Sequence, residues 1–232
     1  MAKNNKRGTE TKPVSLITLI DKSSPISEQY RTIRTNIQFA STVDHEIKTI
    51  VVTSSGAGEG KSTTSANLAV VFANAGQRVL LVDADLRKPT VHKTFHIQNN
   101  VGFSNLLSTK ETMSNVIQAT VVPNLSLLTS GPKPPNPSEL LSTARMDQLI
   151  RELRGAFDLV IFDMPPIVQV TDAQIMASKV DGTMLVIRED VSSKDEVVKA
   201  QKLLQMVNAN ILGAIYHGTK NAVDQGYYYY GS

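Results

Sequence analysis

Short apolar runs alternate along the chain with longer stretches in which apolar residues recur every three or four positions. Continuous apolar runs are typical of strands buried on both faces, and the wider spacing is typical of helices with one buried side. We predict strands at 50–52, 78–83, 125–129, 157–163, 182–188 and 211–216. We predict helices at 24–40, after the first strand, at 138–154 and at 193–208, with short helical pieces within 101–118. The alternation predicts an α/β fold with a mostly parallel central sheet and helices on both faces.

Residues 24–40 show the clearest helical pattern, and Pro25 suits a first helical position. The stripe expected to be buried consists of Ile26, Tyr30, Ile33 and Ile37. A neighbouring face carries the charged residues Glu28, Arg31 and Arg34. These form either an ion pair on a wet surface or a contact with another subunit. Before this helix, residues 13–20 predict only a short edge strand or an extended lead-in.

A glycine-rich stretch, residues 54–63, joins the first strand to its helix. Its glycines let successive backbone N–H groups turn inward, and the helix start adds partial positive charge, so the loop can enclose a polyphosphate. Lys61 would reach the β- and γ-phosphates, and the Ser62 hydroxyl would bind Mg²⁺. Ser55 stands where the strict G-x-x-x-x-G-K-[ST] pattern has glycine. The expected nucleotide-binding residues of this P-loop are Gly56, Ala57, Gly58, Glu59, Gly60, Lys61, Ser62 and Thr63. The alternative, a glycine turn before an ordinary helix, leaves Gly-Lys-Ser-Thr unexplained.

Three aspartates follow predicted strands. Asp83 and Asp85 come at the end of strand 78–83, where open α/β sheets bind ligands, and either could hold magnesium or accept a proton. Asp163 ends strand 157–163 in a Walker B pattern, which orients Mg²⁺ or its water. The predicted catalytic residues are therefore Lys61, Asp83, Asp85 and Asp163, and the predicted metal ligands are Ser62, Asp83 and Asp163. Asp172 is either a supporting polar group or a helix cap.

Composition narrows the classes of function. The chain has no cysteine, which excludes disulfides, iron–sulfur clusters and thiolate zinc sites. The formal net charge of +3 comes from the first twelve residues, so the body is balanced and is not expected to bind nucleic acid. No apolar run reaches the roughly 18 residues that span a bilayer, and residues 1–7 lack the apolar region typical of a secretory leader, so we expect a cytoplasmic protein.

The two ends differ in composition from the body. Lys3, Lys6, Arg7 and Lys12 make the beginning basic, which is typical of a solvated arm and would add weak attraction to an anionic membrane face. Four of the six tyrosines are consecutive near the end: Tyr227, Tyr228, Tyr229 and Tyr230. They form either a sticky disordered end or a set of phosphate acceptors. The predicted organisation is a basic arm and lead-in (1–23), a P-loop domain (24–218) and a flexible tyrosine-rich tail (219–232).

Several motifs together resemble one family. They are Glu28-x-x-Arg31-x-x-Arg34, the S-x-x-G-E-G-K-S-T loop, D-x-D-x-R-K-P at 83–89, G-P-x-P-P-N-P at 131–137, D-x-P-P at 163–166, and the tyrosine cluster. Nearly the whole chain is similar to bacterial tyrosine kinases of the capsule and exopolysaccharide type, the CapB/CpsD-type cytoplasmic subunits. Three positions depart from the family pattern. Ala57 replaces a proline, Met164 replaces a threonine, and His217 stands where asparagine is common.

The resemblance implies a protein-tyrosine kinase of the P-loop NTPase fold, MinD/ParA-like, that uses ATP and Mg²⁺. It implies autophosphorylation of Tyr227–Tyr230 and control of polysaccharide synthesis together with a transmembrane activator of the polysaccharide co-polymerase type. That activator would hold the kinase at the inner face of the membrane. The implied partners also include a homo-oligomeric ring through Glu28, Arg31 and Arg34, other protein-tyrosine substrates, and a phosphotyrosine phosphatase as counter-enzyme.

A switch ATPase of the MinD or ParA kind is the alternative. Such proteins carry a second lysine early in the P-loop, at the position of Gly56, and often end in an amphipathic helix. This sequence has neither feature.

Overall fold

A computed structural model describes residues 14–42 and 45–218. The residues that make the N-terminal arm basic and the four consecutive tyrosines therefore lie outside the described residues. The described part contains a seven-stranded sheet with the order β3-β4-β2-β5-β1-β6-β7, in which only β3 runs antiparallel to its neighbour. The strands are β1 (Thr49–Ser54), β2 (Val79–Asp83), β3 (Ile117–Ala119), β4 (Leu125–Leu128), β5 (Leu159–Asp163), β6 (Gly182–Arg188) and β7 (Ile211–His217).

Helices cover both faces of the sheet. They are α1 (Ile17–Ile20), α2 (Pro25–Ala40), α3 (Lys61–Asn74), α4 (Val91–Thr94), α5 (Phe103–Ser108), α6 (Met113–Val116), α7 (Pro137–Leu141), α8 (Ala144–Ala156), α9 (Asp172–Ala177) and α10 (Lys194–Met206). Successive strand residues point to opposite faces. Val51 accordingly joins the core that contains Leu149 of α8, whereas Val52 joins the core that contains Phe72 of α3. The predicted layered α/β architecture is confirmed.

Three local predictions were wrong. The short edge strand or extended lead-in predicted for 13–20 is replaced at Ile17–Ile20 by the one-turn helix α1, which is held to α3 by a hydrogen bond of 2.9 Å from the Thr18 hydroxyl to Oδ1 of Asn67. The helix predicted at 138–154 is two helices, since Thr143 accepts from the Met146 N–H and starts α8 anew. Ile26 is 51% exposed, so the buried stripe of α2 begins at Tyr30.

The two edges of the sheet are short or irregular. At one edge, β3 has three residues. At the other, the register of β7 against β6 shifts between Thr183 and Met184, where a bulge interrupts the pairing. A groove of about 460 Å³ runs between α2 and β7, and Tyr216 on this edge is 58% exposed.

The amino ends of the strands are joined by two aspartates. Asp181 accepts hydrogen bonds from the backbone N–H groups of Lys48 and Thr49, from the Thr49 hydroxyl and from Arg154. Asp158 accepts from the backbone and guanidinium of Arg78. Both carboxylates thus tie strand starts to neighbouring elements. None of the helices in residues 14–42 and 45–218 combines the length and the apolar composition of a membrane-spanning segment.

Candidate active site

The P-loop lies between the end of β1 and the start of α3, at the carboxyl edge of the sheet. Gly60 has φ of +97°, and a Cβ there would lie 3.1 Å from the His217 ring, so only glycine fits without strain. A cleft of about 390 Å³ opens above the loop. Its P-loop lining consists of Ala57, Gly58, Gly60, Lys61, Ser62 and Thr63. Glu59 is 1% exposed and does not line the cleft, because its side chain is turned toward Ser55 and Ser192.

Lys61 is the cation at the centre of the site. Its Nζ lies 3.1 Å from Oδ2 of Asp85, and its side chain is only 12% exposed. Burial lowers the pKa of Lys61, but the charges of Asp163 and Asp85 more than offset this, and the net pKa is raised above its usual value. Lys61 is therefore a full positive charge beside the cleft, as the binding of a polyphosphate requires.

Asp83 and Asp85 differ in their surroundings although they are two residues apart. Asp83 is fully buried, and its Oδ2 accepts from the N–H groups of Thr90 (3.0 Å) and Val91 (2.9 Å). Burial and the neighbouring charge of Asp163 raise the pKa of Asp83 to about 8. Asp85 lines the cleft, where it pairs with Lys61 and accepts from the Lys88 N–H.

Asp163 completes the carboxylate group at the end of β5. Its Oδ1 accepts from the Ser65 hydroxyl of α3 at 3.1 Å. Burial raises the pKa of Asp163, opposed by Lys61 and the Ser62 hydroxyl. Among the described residues, Oδ2 of Asp163 and Oδ1 of Asp83 are buried oxygens without a hydrogen-bond partner. Carboxylate oxygens of this kind suit Mg²⁺, which binds few protein ligands and keeps several waters, so the residues present fit the metal.

The opposite wall of the cleft is formed by the segments after β2 and β5. It includes residues to which the sequence analysis gave no role in the site. Arg87 makes a two-pronged pair with Asp172, both contacts at 2.9 Å, and Asp172 is fully buried. Of the two alternatives predicted for Asp172, the supporting polar group fits, because Asp172 holds Arg87 beside the cleft and the N-cap of α9 is Thr171. Pro165 and Pro166 line the same wall.

The predicted catalytic residues Lys61, Asp83, Asp85 and Asp163 thus meet at one place, as the adjacent ends of β2 and β5 require. Missed from the sequence were Ser65, Arg87 and Arg188. Arg188 ends β6 and donates to the Gly58 carbonyl at 2.8 Å. Only the four-residue spacing from Lys61 to Ser65, one helical turn, could have indicated a role for Ser65.

The residues predicted as a subunit interface lie along α2. Glu28 and Arg31 form an exposed ion pair at 2.6 Å. Arg34 instead donates to the Val71 carbonyl of α3 at 3.4 Å. Their role in assembly stays a prediction, and the four tyrosines predicted as phosphate acceptors lie outside the described residues.

Comparison with known proteins bears on this site. The family model described as AAA domain matches residues 47–211. Tyrosine-protein kinase YwqD of Bacillus subtilis is 49% identical over 232 residues, which cover 100% of this chain and 97% of that protein. The chain belongs to the bacterial tyrosine-protein kinase family. The resemblance found in the motifs, and with it the prediction of a tyrosine-protein kinase, is confirmed at the level of this family.

Solved structures agree with this family and with the fold. The kinase domain of the Escherichia coli tyrosine kinase ETK is 32% identical, with a TM-score of 0.85, and the match covers 99% of this chain and 89% of that domain. The septum site-determining protein MinD of Pyrococcus horikoshii, solved with Mg-ADP, is 23% identical with a TM-score of 0.64. That match covers 76% of this chain and 73% of MinD. The second likeness shows the fold alone, and it confirms the predicted MinD-like P-loop architecture.

Proposed function

We propose that this tyrosine-protein kinase uses ATP and Mg²⁺ to phosphorylate its own C-terminal tyrosines, Tyr227–Tyr230. The observation that carries the proposal is the convergence of Lys61 with three aspartates around one cleft that the P-loop lines. The tyrosine cluster supplies acceptors within the same chain. Family membership makes tyrosine the acceptor class to test first.

The P-loop and Lys61 would bind the phosphates of the nucleotide. Backbone N–H groups of the glycine loop and the start of α3 provide donors and partial positive charge, and Lys61 adds a full charge. The metal would be held by the Ser62 hydroxyl with Asp163 and Asp83, and it would neutralise charge on the β- and γ-phosphates. Without the metal, the buried and unpartnered oxygens of these carboxylates would lower the stability of the folded state.

Phosphoryl transfer would form a bond between the tyrosine oxygen and the γ-phosphorus while the bond from that phosphorus to the β-phosphate oxygen breaks and ADP leaves. The phenolic proton needs an acceptor, because a tyrosine hydroxyl has a pKa near 10 in solution. Asp85 and Asp83 are the two candidates. Reach favours Asp85, which lines the cleft, whereas the raised pKa belongs to Asp83, which is turned toward Thr90 and Val91.

Assembly and control follow from the same tail. Unmodified tails would enter neighbouring sites in a ring whose contacts include Glu28, Arg31 and Arg34, next to a transmembrane activator that holds the ring at the inner membrane face. Each phosphotyrosine adds about −1.5 to −2 charges, so a modified cluster would be repelled by the acidic site and the ring would loosen. A phosphotyrosine phosphatase would restore the starting state, and control of capsule or exopolysaccharide synthesis would follow from this cycle.

The test combines two chains. A Lys61→Met chain, which keeps its tyrosines, is mixed with an active chain that lacks residues 227–230. After incubation with Mg-ATP, the mass of the C-terminal peptide of the Lys61→Met chain is measured by mass spectrometry. Phosphoryl groups on the tail of the Lys61→Met chain are expected, because neighbouring sites reach it. No phosphate on that tail would rule out transfer between chains.

A switch ATPase is the second candidate, supported by the MinD-like fold. The same incubation separates the two, with an activator fragment present. If ATP were hydrolysed while every tail tyrosine stayed unmodified, the proposal of tail phosphorylation would be wrong, and a switch ATPase would be the better description of the activity.

A further inference from the structure

We propose that Glu59, Ser55 and Ser192 form a brace that holds the P-loop in its phosphate-binding shape, so that all three are positioning residues for nucleotide binding. The inference rests on the nucleotide site proposed above. It assigns a role to Ser55, the residue that breaks the strict P-loop pattern, and to a buried carboxylate that no catalytic step uses.

Glu59 is the centre of the brace. Its Oε1 accepts from the Ser55 hydroxyl at 2.7 Å and from the Ser192 hydroxyl at 2.6 Å. Ser55 is fully buried directly after β1, and Ser192 lies in the loop between β6 and α10. Glu59 thus connects the first turn of the P-loop to a loop that belongs to another part of the sheet.

The geometry of the P-loop explains why a brace is needed. Glu59 stands between Gly58 and Gly60, which both line the cleft and both have positive φ, +80° and +97°. Glycines gain the left-handed conformation but also lose the most freedom on ordering. Because Glu59 is fixed between them, the two glycines are already ordered before the nucleotide binds. Binding then costs less conformational entropy, which is preorganisation.

Further contacts come from the same side. Arg188 donates to the Gly58 carbonyl at 2.8 Å, its own N–H donates to the Ser192 hydroxyl at 2.8 Å, and the His217 ring packs against Gly60. These contacts come from the ends of β6 and β7, whereas the catalytic carboxylates come from β2 and β5. The loop is therefore held from one side while it faces reacting groups on the other.

Substitution of Ser55 gives the sharpest test. Ser55→Gly restores the strict pattern but removes the hydroxyl, and Ser55→Ala removes only the hydroxyl. Both should raise the dissociation constant for Mg-ADP roughly tenfold, because a buried hydrogen bond to a carboxylate is lost. If Ser55→Gly bound Mg-ADP as tightly as the unchanged chain or more tightly, the brace would be wrong.

Ser192 provides a variant at a less buried position. Ser192→Ala should weaken Mg-ADP binding several-fold, whereas Ser192→Thr, which keeps a hydroxyl, should restore it. Ser114→Ala, at an exposed serine of α6, is the matched control and should change nothing. Equal binding by Ser192→Ala and Ser192→Thr would contradict the proposal.

Glu59→Ala tests whether the three residues act together. Combined with Ser192→Ala, it should weaken Mg-ADP binding by clearly less than the two single losses added together, since both remove the hydrogen bond between Ser192 and Glu59. In steady-state assays the KM for ATP should rise while kcat changes little, as expected when binding is lost equally from the ground state and the transition state. A fully additive double variant, or a loss confined to kcat, would overturn the inference. Should Glu59→Ala fail to fold, as thermal melting would show, the Ser192 pair decides.

The outcome is separable from that of the kinase proposal, because the readout is Mg-ADP binding. A chain that binds Mg-ADP without modifying its tyrosines would refute the kinase and still test the brace.

Discussion

Aspartates lie at both ends of the parallel sheet, in opposite surroundings. At the amino end, hydrogen bonds from Arg78 lower the pKa of Asp158, and those from Arg154 and Thr49 lower that of Asp181 against the effect of its burial. At the carboxyl end, burial raises the pKa values of Asp83 and Asp163, and each keeps a buried oxygen without a partner among the described residues.

The difference separates the end that stabilises the fold from the end at which we propose that ligands bind. A carboxylate whose hydrogen bonds are all made within the chain stabilises the folded state. A buried carboxylate with an open oxygen costs stability until a cation meets it. The carboxyl end therefore holds an electrostatic cost, which Lys61 offsets in part and which the proposed magnesium ion would offset further.

The largest stability effect is expected at the amino end. Asp181→Ala should lower the free energy of unfolding by about 2 kcal/mol, because it leaves the donors of Lys48, Thr49 and Arg154 unpaired. Denaturant unfolding at pH 7 measures this, with Asp195→Ala on the exposed start of α10 as control. Mg-ADP affinity should not change, and a large loss of affinity would contradict the division between the two ends.

The pH dependence of that variant sharpens the same point. The folded-state pKa of Asp181 lies below its ordinary value, so its contribution is present above about pH 4 and is lost as the pH falls through the folded pKa. The difference between the unchanged chain and Asp181→Ala should shrink in acid.

The next effect has the opposite sign. Asp83 has a folded-state pKa of about 8, above its unfolded value of 3.8, so its contribution to stability is full below pH 3.8 and is lost as pH rises toward 8. Asp83→Asn keeps an acceptor for Thr90 and Val91 and removes this dependence. Without metal or nucleotide, it should raise the free energy of unfolding by at least about 1 kcal/mol at pH 8.

The control for this prediction is the same measurement near pH 4, where the gain should vanish. If Asp83→Asn were less stable than the unchanged chain at pH 8, the cost assigned to the carboxyl end would be absent. Tail phosphorylation should be lost in this variant at any pH.

The smallest effect is expected at the exposed pair. Arg78→Gln removes the guanidinium from Asp158, but both side chains are largely solvated. The melting temperature should change by about 2 °C or less, because exposed ion pairs contribute little. NMR titration should show the pKa of Asp158 returning toward its ordinary value. A large fall in melting temperature would mean that the ion pair of Arg78 and Asp158 also contributes strongly to the stability of the fold.

Features set by local pattern could be predicted from the sequence. The apolar runs that became β1, β2 and β5 carry their own signal, and the residues following them meet because parallel strands end at one edge. Lys61 and the three aspartates were therefore found without coordinates. The split after Ser142 was missed because the cap made by Thr143 interrupts an apolar pattern that continues across it.

Features set by distant contacts could not be predicted. The orientation of Glu59 depends on Ser192, 133 positions away, and the partner of Arg87 is Asp172, 85 positions away. A local sequence pattern cannot predict contacts between residues this far apart in the chain. The exposure of Ile26 likewise depends on where α2 meets its neighbours, which periodicity alone does not show.

The irregular edges of the sheet have a consequence for a protein expected to gather many copies. An open strand edge is a template on which another chain can add, and short or bulged edges reduce that risk. The three residues of β3 offer little length for such addition, and the bulge beside β7 breaks the regular row of donors and acceptors. Such edges disfavour pairing between the sheets of neighbouring copies, so association in the proposed ring would depend on side-chain contacts, which a change of charge can reverse.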